Sequence, residues 1–527
     1  MAFTFQINND IKFNHNEDLL AKAEANRPTL KHTVVKPTDL VDIVADSAAF
    51  NGFKAVSNQQ AIENLPKYTL KKGGKLVLDF GDHQVGRFSI DIDSVGSPMD
   101  APLYLHLTFA ETPAEIGVEA STYDGWLSSS WITEEYVHLD VLPAKLSLPR
   151  RYAFRYVEIE VKDTSPKWQA SFSNPEVVTE SAVSMDTVPS VKIDDPMLKK
   201  IDEVSIKTLH DCMQTVFEDG PKRDHRLWLG DLRLQALANY ATFNDSELVK
   251  RCLYLFAGMT TVDGKISANV FTEPKPQPDD TFMYDYSLFF ISVLSDYYTQ
   301  SQDMTVLKEL YPIAKRQIDL AIAEVGSDDL LKMNEDWPVF VDWSNEIDKA
   351  TAGQAILIYA LKQFVDMAQQ VEPTAVQHYQ KLVASYSKAA IDQLFDVQQG
   401  LFVSGPNREI NIASQVWMVL AHVLDDQANN QLMSKAIESL FPVTGIATPY
   451  MYHHIVAALF ESNHRTDGIK LIKSYWGKMI ELGADTFFEA FEPEDLNFSP
   501  YGSPIINSYC HAWSCTPTYL IRKYLVN

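Results

Sequence analysis

Apolar and polar positions alternate with period two from about residue 31 to about residue 175, and the apolar positions then recur every 3.6 residues from about residue 190 onward. The first pattern predicts half-buried strands and the second predicts amphipathic helices. Strand-like runs are LKHTVVK (30–36), FKAVS (53–57), Lys75 to Phe80, Arg87 to Asp93, Leu103 to Glu111, Trp131 to Asp140, Tyr152 to Val161 and Trp168 to Ser173. The polar segment Gly81 to Gly86 reads as a turn between two of them. Short strands divided by Gly, Pro and Ser clusters predict a β-sandwich over residues 1–190. Residues 1 to about 30 are polar and read as an arm that packs on the body or on a partner subunit.

Asp194-Asp195-Pro196 has the form of a helix start, with an acidic cap and Pro in the first turn. Leu198, Ile201, Val204, Leu209, Met213 and Val216 then form one apolar stripe. Further helices are predicted at 231–243, 246–259, 283–300, 303–324, 350–371, 375–396, 410–425, 427–440, 449–462, 465–482 and 506–525. About twelve helices in succession over residues 191–527 fit an (α/α)6 toroid or an α-solenoid, which the count alone does not separate.

A chain of 527 residues, 46% hydrophobic and 22% charged, has enough apolar material for these two domains. Its net charge of -25 argues against nucleic acid as a partner, because phosphate binding draws on clustered Lys and Arg. No apolar run reaches the roughly 18 residues of a membrane span, and the start lacks the form of a signal peptide. Four cysteines are too few for a disulfide framework, and Cys510, His511 and Cys515 lack a fourth zinc ligand. The reading is a cytoplasmic protein with reduced thiols, no metal and no cofactor.

Chemistry concentrates in loops. Residues 219–231 read DGPKRDHRLWLGD, with Asp219, Asp224 and Asp231 close to Lys222, Arg223, His225, Arg226 and Trp228. Such a run is either a solvated helix connection or a site. Residues 272–286, 334–348 and 483–502 are further long loops rich in acids and aromatics. Trp or Tyr beside Asp is the mixture that grips sugars, since ring faces cover CH groups and carboxylates accept hydroxyl protons. Glu489 stands among Phe487, Phe488 and Phe491, where an idle carboxylate would be costly. His511 by itself reads as a hydrogen-bonded core histidine and Trp417 and Trp476 as core, while the segment Thr122-Tyr123-Asp124-Gly125-Trp126 is aromatic enough to reach a ligand, with a buried Trp126 the commoner reading.

The 219–231 stretch resembles the signature of the glycoside hydrolase family 78 bacterial α-L-rhamnosidases, matching at Asp219, Gly220, Pro221, Arg223, Asp224, Trp228, Gly230 and Asp231. Gly483-Ala484-Asp485-Thr486-Phe487-Phe488-Glu489 is similar to the family's general-base segment, with Phe488 where Trp is usual. FGDHQVGRF and Phe154-Arg155-Tyr156-Val157 resemble its sandwich strands. The resemblance implies an (α/α)6 barrel behind a sandwich that buttresses it, and an inverting hydrolase. Asp224 is then the general acid and Glu489 the general base, with their carboxyl groups roughly 6.5–9.5 Å apart. Asp219, Arg223, Trp228, Asp231, Tyr286, Trp337, Trp343 and His511 are implied to bind the sugar.

The chain ends soon after its last predicted helix, so the C-terminal β-domain of many members is not expected, and the pocket is expected to be open. Small rhamnosides, either disaccharides or rhamnosylated plant phenolics, are the expected substrates. The alternatives are an (α/α)6 inverting glycosidase for a different sugar and a non-catalytic sugar-binding protein. Oligomeric state stays open, with a homodimer through the N-terminal region compatible with the polar arm.

Overall fold

The structure is a computed structural model and describes residues 10–526; the first nine residues of the arm lie outside it. The described part of the arm carries helix α1 (Glu17–Ala25), which the sequence pattern did not announce. Asn16 caps it by accepting from the Leu19 amide, and its only fully buried residue is Ala23. One buried position in nine leaves no readable stripe. Lys22 of α1 pairs with Glu309 at 2.5 Å, so this segment packs on the chain's own helical region.

Ten strands follow: β1 (Lys31–Val35), β2 (Asp39–Ala45), β3 (Phe53–Ser57), β4 (Thr69–Leu70), β5 (Lys75–Gly96), β6 (Leu103–Ala110), β7 (Glu134–Leu139), β8 (Ala144–Ser147), β9 (Tyr152–Asp163) and β10 (Trp168–Ser181). They join through antiparallel pairs into one hydrogen-bonded sheet, with the path β1-β10-β5-β9-β6-β7 and β2, β3, β4 and β8 attached at its sides. The turn expected at 81–86 is absent. Strand β5 runs through it, and the extra residues are absorbed as a register shift against β9 between Asp79 and Gln84. Gly81 supplies the positive φ of +79° that this bulge needs. Phe88, Phe109, Tyr152 and Phe154 stack into the sheet's core, with Phe109 and Tyr152 centroids 4.0 Å apart. Each such ring contributes about 1.5–3 kcal/mol by leaving water.

The remaining helices are α2 (Pro196–Cys212), α3 (Leu229–Ala241), α4 (Ser246–Gly258), α5 (Tyr284–Ser301), α6 (Met304–Ala323), α7 (Ala350–Val371), α8 (Val376–Leu394), α9 (Ile412–Leu420), α10 (Asp426–Leu440), α11 (Pro449–Glu461), α12 (Arg465–Glu481) and α13 (Pro517–Tyr524). Helix α3 packs on α5, α5 on α7, α7 on α9, α9 on α11, α11 on α13, and α13 back on α3. The even-numbered helices lie against this ring. Helix α9 is buried at all nine positions, as an inner helix must be, whereas α10 buries only Asn429, Leu432, Met433 and Ala436. Trp417 and Trp476 are fully buried, as expected.

The helix expected at 506–525 is confined to Pro517–Tyr524. Upstream of it, the backbone pairs with the 483–491 segment instead of with itself. The Glu489 amide donates to the Ser508 carbonyl at 3.0 Å, and the His511 amide to the Phe487 carbonyl at 2.9 Å. This pairing brings residues 507–513 to the end of the helix ring where the 219–231 loop sits.

Candidate active site

The 219–231 loop connects α2 to α3 and folds back on itself. The Asp219 amide donates to the Arg226 carbonyl at 2.9 Å, and the His225 amide to the Gly220 carbonyl at 3.2 Å. The Asp219 carboxyl accepts the Asp224 amide at 3.2 Å and the Arg226 amide at 3.0 Å. A Cβ on Gly220 would stand 2.4 Å from the Arg223 carbonyl, so the loop closes only around glycine. The Arg223–Asp224 peptide is cis, and His225 has a φ of +64°. Gly230 lets the ring of Tyr286 approach, since a Cβ there would lie 2.3 Å from it.

This fold-back holds Arg223 over Tyr501, with the guanidinium carbon 4.4 Å from the ring centroid. One guanidinium nitrogen reaches Asp224 at 3.3 Å, another pairs with Glu489, and Nε donates to the Ile506 carbonyl at 3.2 Å. Glu489 is buried, and its other carboxylate oxygen accepts from the Tyr501 hydroxyl. The Trp513 indole donates to the Glu489 carbonyl at 2.8 Å, which fixes the backbone at that point. His511 lies 3.2 Å from Asp231, on the first turn of α3.

Asp219, Arg223, Asp224, Trp228, Asp231, Tyr286, Trp343, Glu489 and His511 line one small pocket, together with Met283, Phe340, Tyr501 and Trp513. Nine of the ten sequence-predicted site residues therefore meet there. Trp337 does not. It is buried against Tyr284, 5.0 Å between centroids, with Lys265 over its face at 4.1 Å, and it belongs to the support beneath the pocket. Residues 334–348 are held from behind by two buried acids. Asp285 accepts the amides of Phe340 and Val341, each at 3.0 Å, and Asp342 accepts those of Ala447 and Thr448 at 3.0 and 3.1 Å. Those bonds turn Phe340 and Trp343 to the pocket.

Tyr501 and Trp513 were not singled out in the sequence. Tyr501 lies in a loop that was, but a lone Tyr in a Pro- and Gly-rich stretch carries no signal of what its hydroxyl will meet. Trp126 overturns its expectation too. It is 45% exposed and lies 5.4 Å from Tyr501, because the 116–133 segment of the sheet region reaches across to the helical loops.

Burial and the neighbouring Asp224 carboxyl push Asp219 up to about 8. Burial also raises Asp231, although His511 opposes it. For His511, burial favours the neutral ring, but the carboxylates of Glu489 and Asp231 outweigh it and raise the imidazole above its usual value. The site thus places a carboxyl that keeps its proton at neutral pH beside a part-exposed aspartate, and faces them with a carboxylate ion-paired to arginine. Separated acid and base functions of this kind are what glycoside hydrolysis requires.

Potential metal donors converge elsewhere, at His83, Asp211 and Cys510 between the two regions. Their contacts are already taken up: His83 bonds to Asp211 at 2.8 Å and to Glu111 at 3.1 Å, and Lys207 pairs with Asp211. His83 and Lys207 thereby join Asp211 and Glu111 into a buried polar network between the regions.

Residues 37–179 match the glycosyl hydrolase family 78 alpha-rhamnosidase N-terminal domain, and residues 186–525 match the bacterial alpha-L-rhamnosidase six-hairpin glycosidase domain. A Klebsiella oxytoca rhamnosidase solved with rhamnose bound is 45% identical, covers 98% of this chain and 100% of its own, and superposes with a TM-score of 0.95. The family 78 rhamnosidase of Bacillus sp. GL1 shares the fold at 19% identity and a TM-score of 0.73, over 89% of this chain and 49% of that one. The α-L-rhamnosidase of Dictyoglomus thermophilum does so at 16% identity and 0.68, over 94% and 52%. Among curated protein sequences, none matches. A two-region glycosidase architecture with an acid-base pocket is the class the fold and site define. The chain belongs to the glycoside hydrolase family 78 α-L-rhamnosidases.

Proposed function

We propose that this α-L-rhamnosidase works with inversion on small rhamnosides, with Asp224 as general acid and Glu489 as general base. The observation that carries the reading is the single guanidinium of Arg223 reaching both carboxyl groups on one aromatic-walled pocket. Asp224 takes the acid role rather than Asp219 because its side chain is 16% exposed to the pocket, whereas Asp219 is buried and clamped by two backbone amides. Asp219 lies behind Asp224, and because burial and that neighbouring carboxyl push it up to about 8, it keeps its own proton at neutral pH and adds no second charge to the acid side of the pocket. Glu489 receives the proton of the attacking water, and the Tyr501 hydroxyl and Arg223 hold its carboxylate in place. Trp228, Tyr286 and Trp343 form the walls against which the deoxysugar's ring and methyl group pack, while Asp231 and His511 meet its hydroxyls.

The ring α3-α5-α7-α9-α11-α13, with the even-numbered helices outside it, is read as the (α/α)6 barrel, and the folded sheet as the β-sandwich that buttresses it. No helix among the described residues is long and apolar enough to cross a membrane. The four free, buried cysteines fit the cytoplasmic assignment. The test is hydrolysis of p-nitrophenyl α-L-rhamnopyranoside with the product anomer followed by NMR. Initial release of β-L-rhamnose supports inversion; initial release of the α-anomer overturns it.

A further inference from the structure

Residues 508–512 run past both carboxyl sides of the pocket. The Ser508 carbonyl accepts the Glu489 amide at 3.0 Å, and the Ser508 amide lies 3.4 Å from the Glu489 carboxylate. The Ala512 amide donates to the Asp219 carbonyl at 2.7 Å. Tyr509 turns the other way. Its amide donates to a carboxylate oxygen of Glu111, 398 positions away in the chain, at 2.7 Å.

Glu111 directly follows β6 and belongs to the sheet region. It is buried, and it is not among the residues that line the sugar pocket. Its second oxygen faces His83 at 3.1 Å, and Lys222 stands 3.7 Å from the oxygen that Tyr509 uses. Burial favours the neutral acid here, but Lys222 and His83 outweigh it and hold the carboxyl below its usual value. Tyr509 thus meets a charged acceptor, and such bonds are roughly twice as strong as neutral ones. The sheet region grips the rest of Tyr509 as well. The Asn51 side-chain amide donates to its hydroxyl at 2.7 Å, and Phe50 meets its ring edge-on at 5.5 Å. Apolar packing joins two regions without desolvating a charge, so a buried carboxylate at this point calls for a further role.

We infer that Glu111 is a positioning residue for the hydrolysis: by holding the Tyr509 amide, it fixes the backbone against which Glu489 is aimed. The inference rests on the reading of Glu489 as general base. Losing Glu111 disturbs the alignment of base and water, where a misplacement of about 1 Å costs on the order of 10²-fold. Sugar affinity is spared, because His511 has its own anchors in the Phe487 carbonyl and Asp231. The sheet region then sets reaction geometry as well as buttressing the helices.

The test measures kcat and KM on p-nitrophenyl α-L-rhamnopyranoside for Glu111→Ala and Glu111→Gln, each in wild type and in Glu489→Gln, with denaturant midpoints alongside. In wild type, Glu111→Ala should lower kcat about 10²-fold and change KM less than about threefold. Glu111→Gln, whose amide oxygen still accepts the Tyr509 N–H, should recover most of that loss. In Glu489→Gln no base remains to be aimed, so Glu111→Ala should cost less than about threefold there. Should Glu111→Ala fail to fold, Glu111→Asp carries the same comparison, since it keeps the charge but draws it back from the Tyr509 amide. Equal losses in both backgrounds, or a lowered midpoint with kcat unchanged, would make Glu111 a stabilising residue only and overturn the inference. Wild-type kcat in Glu489→Gln would instead end the general-base reading, and the positioning role with it.

Discussion

Arg223 and Glu489, 266 residues apart in the chain, form a buried ion pair that ties the first catalytic loop to the second. The same guanidinium lies on Tyr501 and reaches Asp224, so one side chain sets the relative position of the two carboxyl groups proposed as acid and base. Its planar fork makes those contacts at once, which a lysine ammonium cannot do. Arg223→Lys should therefore lower kcat by about 10²-fold although charge is kept, the size expected for a lost preorganised donor. Glu489→Gln should lose about 10²- to 10⁴-fold, the range for removing a general base. Steady-state kinetics on the nitrophenyl rhamnoside checks both. A lysine variant with wild-type kcat would show that charge alone suffices there.

Asp219 provides a pH test. Its carboxyl moves from 3.8 to about 8 through burial and the nearby Asp224. The folded protein thus holds a proton at neutral pH that the unfolded chain has released. The associated stability is fully present below about pH 4 and is lost as pH rises through about 8. Activity should follow, since above that pH Asp219 becomes a buried negative charge behind the acid side of the pocket. The kcat/KM profile should show an alkaline limb near pH 8. Asp219→Asn has no proton to lose, so the limb near pH 8 should disappear. A limb that stays where it was would disconnect Asp219 from the acid.

Tyr501 isolates the base. Its hydroxyl donates to Glu489, and burial raises its own ionisation well above the normal value, so it remains a donor across the working range. Tyr501→Phe keeps the ring under Arg223 and removes only that bond. One hydrogen bond to a charged group corresponds to about 1.5–3 kcal/mol, or roughly 10- to 150-fold. The loss should fall on kcat, with KM nearly unchanged. A change confined to KM would place Tyr501 among the sugar-binding groups instead.

The two loops that meet at the pocket were legible because their residues are local. Asp219 to Asp231 bring acids, arginine, tryptophan and two necessary glycines within thirteen positions, and Glu489 stands in a recognisable aromatic frame. The helices from α2 to α12 were legible because each carries an apolar stripe or, as in α9, a continuous apolar run. Contacts that depend on a distant partner were not. Tyr501 finds its partners in Glu489 and Arg223, and Trp126 lies beside Tyr501 only because the sheet region reaches the helical loops. Residues 504–516 contain enough apolar side chains to mimic a helix, yet their amides and carbonyls find better partners in residues 486–491. Trp337 matched its expected sequence context but is turned inward, where Tyr284 and Lys265 meet it.

Lys222 carries the last prediction, and it concerns how the two regions are held together. Its motif position suggests chemistry, but its ammonium is buried and points away from the pocket residues. It bonds to Glu115 of the sheet region at 2.5 Å and to the carbonyls of Ile505 and Asn507 at 3.3 and 3.1 Å, with Glu111 at 3.7 Å. It therefore links the sheet region to both catalytic loops. Lys222→Met leaves Glu115 buried without its cation, while Glu111 keeps His83, and should cost about 3–5 kcal/mol. Replacing both partners, Lys222→Met with Glu115→Leu, removes the stranded charge together with its counter-ion and should recover part of that loss. Denaturant midpoints for wild type, the single variant and the double variant measure this directly. A single variant as stable as wild type would remove the ion pair from the interface's energetics. A double variant no better than the single would shift the weight to the bonds that Lys222 makes with the 505–507 backbone.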